Sequence, residues 1–114
     1  MAQNIASSLV SYENPMYFDP GFQRMLRDHL VLIRQSNSTQ PMIVDSNVAH
    51  HSKGDLYFVF RQMGLSPKYW WITMIINNIT SPDQYDGERT NFILPDMQYI
   101  DELYQLYMTV DGNV

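Results

Sequence analysis

Apolar residues recur at helical spacing in four stretches of the chain, and this pattern predicts four helices. The first covers residues 19–34, with Asp19 as its N-cap and Pro20 at its first helical position, where no N–H is needed. Its buried face is predicted to consist of Phe22, Met25, Leu26, His29, Leu30 and Ile33. The last helix begins at Asp96, and its buried face is predicted to consist of Ile100, Leu103, Tyr104 and Tyr107.

Two shorter helices are predicted between these. Asp55 caps the first of them and Gly64 ends it, with the buried face at Leu56, Val59, Phe60 and Met63. Ser66 is predicted to cap the second, with Pro67 at its first position. This second helix is apolar almost all the way round, at Tyr69, Trp70, Trp71, Ile72, Met74, Ile75 and Ile76. A helix of that kind must be covered on every side.

Two short β-rich runs flank the central helices. The first is residues 40–46, with Met42 and Val44 on one face, and the second is residues 90–94. The polar stretch 47–55 is predicted to be turn-like. The predicted fold class is therefore α+β, with a βααβ core.

The predicted organisation has four parts along one small domain. Residues 1–18 show no period long enough to pack on their own, which predicts an extended arm. The other parts are an N-terminal helix and turn at 19–40, the core at 41–95, and a C-terminal helix with its tail at 96–114.

Composition narrows the class of function. The 114-residue chain carries 7 Lys+Arg against 12 Asp+Glu, a net charge of −5, which argues against a nucleic-acid binder that tracks phosphates. It has no cysteine, which removes disulfide scaffolds and thiolate metal sites. No apolar run is long enough to span a bilayer and the N-terminus lacks the pattern of a signal peptide, so we expect no membrane association and no export.

Candidate chemistry is sparse. His50 and His51, with Asp45 and Asp55 nearby, lack the spacing that would turn two imidazoles toward one metal ion, and a solvated loop is the expected structure there. The sequence contains no Ser-His-Asp order, no Gly-rich phosphate loop and no His-Glu-x-x-His motif. Carboxylate pairs such as Asp101 and Glu102 lie on adjacent helix positions and point apart. We therefore predict no catalytic, cofactor-binding or metal-binding residue.

The order strand, helix, helix, strand from Met42 to Leu94 resembles the lysin motif (LysM). That motif has Gly-Asp-Thr-Leu at its first helix, a Trp-containing second helix that ends in Asn-x-Ile, and then Pro, Gly and a strand that closes in Ile-Pro. The matching residues here are Gly54, Asp55, Leu56, Trp70, Trp71, Ile72, Asn77, Asn78, Ile79, Pro82, Gly87, Phe92, Ile93, Leu94 and Pro95, without the Thr. The resemblance covers about half of the chain.

A narrower resemblance covers more of it. The Arg-rich stretch 19–34, followed by 55–82 with its Tyr-Trp-Trp-Ile helix, its two Asn and its Pro, is similar to the baseplate wedge subunit (gene-fifty-three type) of contractile-tailed bacteriophages. The resemblance implies a non-enzymatic virion structural protein, present in multiple copies in a symmetric tail baseplate that is assembled in the host cytoplasm. It also implies that the partners are other baseplate and tail proteins.

Aromatic and amide residues are the candidates for contact with those partners: Tyr12, Tyr17, Phe18, Tyr69, Trp70, Trp71, Asn77, Asn78, Tyr104 and Tyr107. Adjacent Trp70 and Trp71 lie about 100° apart on a helix. One can fill the core while the other is half-buried, one can face a partner protein, or one can stack on a sugar. The last possibility belongs to an alternative function, a glycan-binding lysin motif. That alternative predicts an open groove between the Gly54–Asp55 loop and the loop at 78–87.

Overall fold

A computed structural model of the chain describes residues 18–36 and 39–109. The elements follow in the order α1 (Pro20–Asp28), α2 (Leu30–Gln35), β1 (Gln40–Ile43), α3 (Ser46–His51), α4 (Leu56–Gln62), α5 (Trp70–Ile76), β2 (Asn91–Leu94) and α6 (Met97–Tyr107). The 3₁₀ turns Pro67–Tyr69 and Pro82–Gln84 lie on either side of α5. The described residues thus form an α+β fold, as the sequence predicts.

The two strands pair antiparallel. Met42 lies opposite Phe92 in the register, and both side chains are buried. Val44, just past the end of β1, is also buried, and its N–H donates to Thr90 O at 2.8 Å. The predicted apolar face of Met42 and Val44 is therefore confirmed, because alternate residues of an extended chain point to the same side.

The first predicted helix is divided at His29. This residue has φ −104° and ψ 13°, outside the helical region, so α1 ends before it and α2 begins after it. The ring Nδ1 lies 2.8 Å from the carbonyl oxygen of Met25, one turn earlier, which also accepts from the backbone N–H of His29 at 3.2 Å. The apolar face survives the division: Phe22, Leu26 and Ile33 are buried, and the remaining predicted members are half-buried.

The predicted turn at 47–55 is wrong, because α3 occupies its first half. Asp45 caps this helix by accepting a hydrogen bond from the N–H of Asn47 at 2.8 Å. Ala49 is fully buried against the sheet-side core, and such packing stabilises a helix too short to form alone. Three helices, rather than the predicted two, therefore separate β1 from β2, and the lysin-motif identity of the core stays a prediction.

The predicted ends of α4 are confirmed. The carboxylate of Asp55 accepts from the N–H of Phe58 at 3.2 Å. Gly64 has φ +80°, and the N–H of Leu65 donates back to Phe60 O at 2.9 Å, which closes the helix in a Schellman motif. Met63, predicted to be on the buried face, is 40% exposed, because it is the C-cap at which the chain turns away from the helix axis.

The predicted cap at Ser66 is also wrong. Its side chain makes no capping hydrogen bond, and Pro67 opens a 3₁₀ turn rather than α5 itself. The backbone carbonyl of Ser66 accepts from the N–H of Tyr69 at 3.0 Å. Helix α5 then begins at Trp70, one turn later than the N-cap pattern predicts.

Helix α5 is the centre of the fold because two apolar clusters cover it from opposite sides. The terminal-helix cluster consists of Phe22, Leu26, Ile33, Tyr69, Ile72, Ile76, Ile100, Leu103 and Tyr104. The sheet cluster consists of Met42, Val44, Ala49, Leu56, Val59, Phe60, Met74, Ile75, Tyr85 and Phe92. The expectation that this helix is covered all round is confirmed from Ile72 to Ile76.

Helix α6 packs against α1 and closes the terminal-helix cluster. Asp96 caps it by accepting from the N–H groups of Gln98 and Tyr99, as predicted. Tyr107 is half-buried at its end. Phe18 packs against the same cluster, whereas the rest of the predicted arm and residues 110–114 of the tail lie outside the described residues.

Candidate docking surface

Trp70 is held by its indole N–H. Nε1 donates to the carbonyl oxygen of Leu65 at 2.8 Å, which satisfies a backbone acceptor in the connection between α4 and α5. The ring of Tyr57 lies against the indole, with the ring centroids 5.3 Å apart. The half-buried Trp70 thus fixes the angle at which α5 leaves the preceding loop.

Trp71 lies at the seam between the two clusters. Its half-buried ring packs against residues of both, and the guanidinium carbon of Arg27 sits 5.1 Å from the ring centroid. Arg27 is exposed, so this cation–π pair is at the protein surface. We name these two residues the Trp71–Arg27 pair.

We expect Trp70→Ala to lower the free energy of unfolding of the isolated protein by about 3 kcal/mol and Trp71→Ala by about half as much. Trp70 loses both its ring packing and its hydrogen bond to Leu65, whereas one side of Trp71 is covered by an exposed arginine side chain. Urea unfolding of both variants measures the difference. Trp70→Phe is the control that keeps a ring and loses the N–H, at about 1 kcal/mol. Equal losses for the two alanine variants would contradict this division of roles.

Tyr69 is directed into the protein's own core. Its side chain is buried and its hydroxyl donates to both carboxylate oxygens of Asp101, each at 2.9 Å. Burial first, and then the hydrogen bond and negative charge of Asp101, raise the pKa of the Tyr69 phenol far above its ordinary value. The contact joins the 3₁₀ turn before α5 to helix α6.

Asn77 is the buried junction between α5 and β2. Its Nδ2 donates to Thr73 O at 2.6 Å and to Ile93 O at 2.9 Å, and its Oδ1 accepts from the N–H of Ile93 at 2.9 Å. Arg89 adds two bonds, from Nη2 to Asn77 Oδ1 at 2.9 Å and from Nη1 to Asn77 O at 2.7 Å. The Asn77 side chain is 1% exposed and is held by contacts within the chain, and its predicted contact with a partner stays a prediction.

Asn78 ends α5 and receives a second arginine. It has φ +66°, the left-handed conformation that asparagine tolerates better than most side chains. Arg34 of α2 donates from Nη2 to Asn78 Oδ1 at 2.6 Å and to Ile75 O at 3.2 Å, and from Nε to Ile76 O at 3.3 Å. A cation at the negative end of the helix dipole is favourable. Through these bonds Arg34 connects the N-terminal helices to the core.

Tyr104 and Tyr107 form an aromatic group with Phe22. The ring centroids of Phe22 lie 5.3 Å from Tyr104 and 5.5 Å from Tyr107. The hydroxyl of Tyr107 donates to the Asp19 carboxylate, which also caps α1. The first residues of α1 and the last turn of α6 are therefore adjacent, with Phe18 beside them. The predicted contact residues Tyr12 and Tyr17 lie outside the described residues.

The two loops that would border a glycan groove touch each other. The N–H of Gly54 donates to Tyr85 O at 2.9 Å. Gly87 packs so closely on the first loop that a Cβ built there would lie 2.8 Å from Cβ of Lys53. At these points the loops leave no space for a sugar ring between them.

No group of three or more His, Cys, Asp or Glu residues in the described part of the chain is placed to hold a metal ion. His50 and His51 are exposed on α3, and His51 Nδ1 lies 2.7 Å from Asn47 O within the same helix. None of the helices over 18–36 and 39–109 has the length and apolar content to cross a membrane.

Sequence reasoning missed the three arginines that connect these parts. The sequence pattern places all three on polar helix faces or in a loop. In the structure, Arg27 contacts Trp71 and Arg34 contacts the end of α5. Arg89 contacts Asn77. Their partners are 12 to 44 positions away in the chain, so no local pattern reveals them. The available signal was the pair Asn77 and Asn78 directly after an apolar helix, since it marks a helix end whose last carbonyls need donors.

Comparison with protein-family models, curated proteins and solved structures returned no match.

Proposed function

We propose that this chain is a structural, non-enzymatic subunit of a bacteriophage tail baseplate, a wedge component that holds neighbouring baseplate proteins together. The ordered resemblance over 19–34 and 55–82 supports the phage assignment. Within this proposal the protein acts by binding, in multiple copies, and its place is the tail of the virion.

The finer fold assignment is part of the same proposal. The antiparallel pairing of β1 with β2 around α4 and α5 supports a lysin-motif-like core. So does the capping of α4 by Asp55, directly after Gly54, and the ending of α5 at Asn77 and Asn78. Helix α3 is the addition that the motif does not predict. In this proposal the core is a rigid block, and α1, α2 and α6 are docked onto it.

The observation that carries the docking function is the Trp71–Arg27 pair. Trp and Arg are the residues that most often dominate the binding energy of protein interfaces. Here a half-buried indole lies at the seam of two clusters, with the guanidinium of Arg27 over its ring. A partner that covers this seam gains a large aromatic surface that the fold already holds in place, so little entropy is lost on binding.

The proposal is tested in virions of a phage that encodes this chain. We expect mass spectrometry to find the wild-type protein in purified tails, and deletion of residues 1–17 to abolish its incorporation. Those residues carry apolar side chains without a packing period, at Ile5, Leu9, Val10, Tyr12, Met16 and Tyr17, and a neighbouring subunit is the expected cover. Phe18 is kept because it packs against the domain.

The control is the melting temperature of the isolated truncated protein, which we expect to stay within about 2 °C of wild type, since Asp19 and Pro20 still begin α1. A truncated protein that unfolds would show that the arm belongs to its own core, and one that assembles normally would remove the arm from docking. Absence of the wild-type chain from tails would contradict the proposed function. Calorimetric binding of an N-acetylglucosamine oligomer would favour the glycan-binding alternative.

A further inference from the structure

An open trough of about 580 Å³ lies between α2 and the first turns of α6. Its volume is in the range of surface sites that hold ligands or side chains of a partner. The residues that line it are Leu32, Gln35, Ser36, Asp96, Gln98, Tyr99 and Glu102. None of the described contacts that hold the Trp71–Arg27 pair involves this trough, so it is a second surface of the protein.

The trough combines apolar contact area with negative charge. Leu32 is 57% exposed and Tyr99 is half-buried, so both offer apolar surface. Glu102 supplies an exposed carboxylate, whereas the Asp96 carboxylate already accepts from Ser36 Oγ and from the first N–H groups of α6. No lysine or arginine is among the described residues that line the trough. Arg34, the basic residue of α2, is turned away to the end of α5.

The negative character continues along α6. A second open cavity of about 570 Å³ is lined by Gln98, Asp101, Glu102 and Gln105. Gln98 and Glu102 line both cavities, and a hydrogen bond of 3.3 Å from Gln98 Nε2 to Glu102 Oε2 joins them. Helix α6 contains two acidic residues and no basic one, so its charged side chains are all negative.

We propose that this trough docks a basic segment of a partner protein, with Lys or Arg side chains at Glu102 and an apolar side chain against Leu32 and Tyr99. This inference rests on the proposed function only in supposing a protein partner. Charge complementarity selects the occupant, because the exposed carboxylate of Glu102 attracts a lysine or arginine side chain and repels an acidic segment. The chain's own residues 1–17 contain no lysine or arginine, which disfavours them as the occupant.

Two synthetic peptides test the occupant on the full-length protein. One is a short amphipathic peptide of leucine and lysine with a fluorescent label, and the other has glutamate at every lysine position. We expect fluorescence anisotropy to show binding of the lysine peptide, weakening several-fold as the salt is raised from about 50 to about 500 mM. Absence of binding, or equal binding of the glutamate peptide, would overturn the proposal.

Charge reversal within the chain locates the binding. We expect Glu102→Lys to weaken binding of the lysine peptide about tenfold and Leu32→Ser to weaken it about threefold. Both side chains are exposed, so the fold is expected to tolerate either change. Glu88→Lys is the matched control, because Glu88 is an equally exposed glutamate outside the trough and its replacement changes the net charge by the same amount. An equal loss in Glu88→Lys would overturn the assignment to the trough.

The identity of the occupant is checked by cross-linking, which the absence of cysteine makes simple. Gln35→Cys carries the protein's one thiol, in the trough, and is labelled with a photo-reactive maleimide. We expect the lysine peptide to be the cross-linked product. Cross-links to a second copy of the chain, or to residues 1–17, would overturn the proposal and name that segment as the occupant. Incorporation into tails is measured separately, so a negative peptide result leaves the proposed function to its own test.

Discussion

Asn77→Ala is expected to lower the free energy of unfolding by about 3 kcal/mol, the largest effect of a single polar substitution in this protein. The side chain makes hydrogen bonds to Thr73, Ile93 and Arg89 at 2.6 to 2.9 Å. Alanine leaves the N–H of Ile93 without its buried acceptor and Ile93 O without its donor. A loss of this size corresponds to a fall in melting temperature of about 15 °C for a domain of this length.

The matched control for Asn77→Ala is Thr73→Val, one turn earlier in α5. Thr73 is fully buried, and its Oγ1 has no hydrogen-bond partner among the described residues. Removing a buried hydroxyl that already lacks a partner is expected to be neutral or to stabilise by about 1 kcal/mol, because it ends a desolvation cost rather than creating one. Urea denaturation of both variants measures the two signs. A loss in Thr73→Val as large as in Asn77→Ala would contradict the assigned network.

Gly87→Ala is expected to destabilise the protein by about 3 kcal/mol. A left-handed conformation, here φ +76°, costs a residue with a Cβ about 1–2 kcal/mol. The rest comes from contact, since the new methyl group would lie 2.8 Å from Cβ of Lys53, 3.2 Å from its Cα and 3.3 Å from Ala49 O. Two of these three atoms belong to the backbone, and the third, Cβ of Lys53, is bonded directly to it, so none of them can rotate out of the way.

Gly64→Ala and Gly54→Ala separate the two contributions. Both glycines have φ near +80°, and a Cβ at either would meet no atom within 4 Å. They are expected to lose only about 1–2 kcal/mol, the cost of the backbone conformation. If thermal melts place Gly87→Ala level with these two, the loops at 53–54 and 85–87 do not press together, and the space for a glycan groove returns.

Asn77→Ala and Gly87→Ala bear on the proposed function, because both are expected to change the rigidity of the core that is proposed to dock. The Asn77 network places β2 against α5, and the Gly87 contact holds the loop before β2 against α3 and Lys53. A block that is ordered before binding loses less entropy when it binds. Variants that loosen either junction are therefore expected to weaken docking even where the Trp71–Arg27 pair is untouched.

Local patterns along the chain were sufficient for the ends of most helices. The caps at Asp19, Asp55 and Asp96 and the stop at Gly64 each depend on the chemistry of residues within one turn. For that reason the sequence predicts them without tertiary information. The same holds for the inward faces of α4, α5 and α6, with the exposed Met63 and the half-buried Tyr107 as the exceptions.

Other local features were decided by packing. Helix α3 lies in a polar stretch and depends on the burial of Ala49, and the division of the first helix at His29 interrupts a continuous apolar pattern. The resemblance to phage wedge subunits is carried by the sequence alone and stays part of the proposed function. The pattern also left open which tryptophan is held by a hydrogen bond to the backbone and which lies under an arginine at the surface.

What the sequence by itself determined about this protein is the type and capping of its main elements and the need for α5 to be covered on all sides. The tertiary structure decided which groups do the covering. It sets Trp71 under Arg27, it directs Arg34 and Arg89 to the end of α5, and it brings α2 and α6 together around the trough. The physical reason is distance along the chain: capping and amphipathic patterns act within a turn or two, whereas these contacts join residues that only folding brings within a few ångströms.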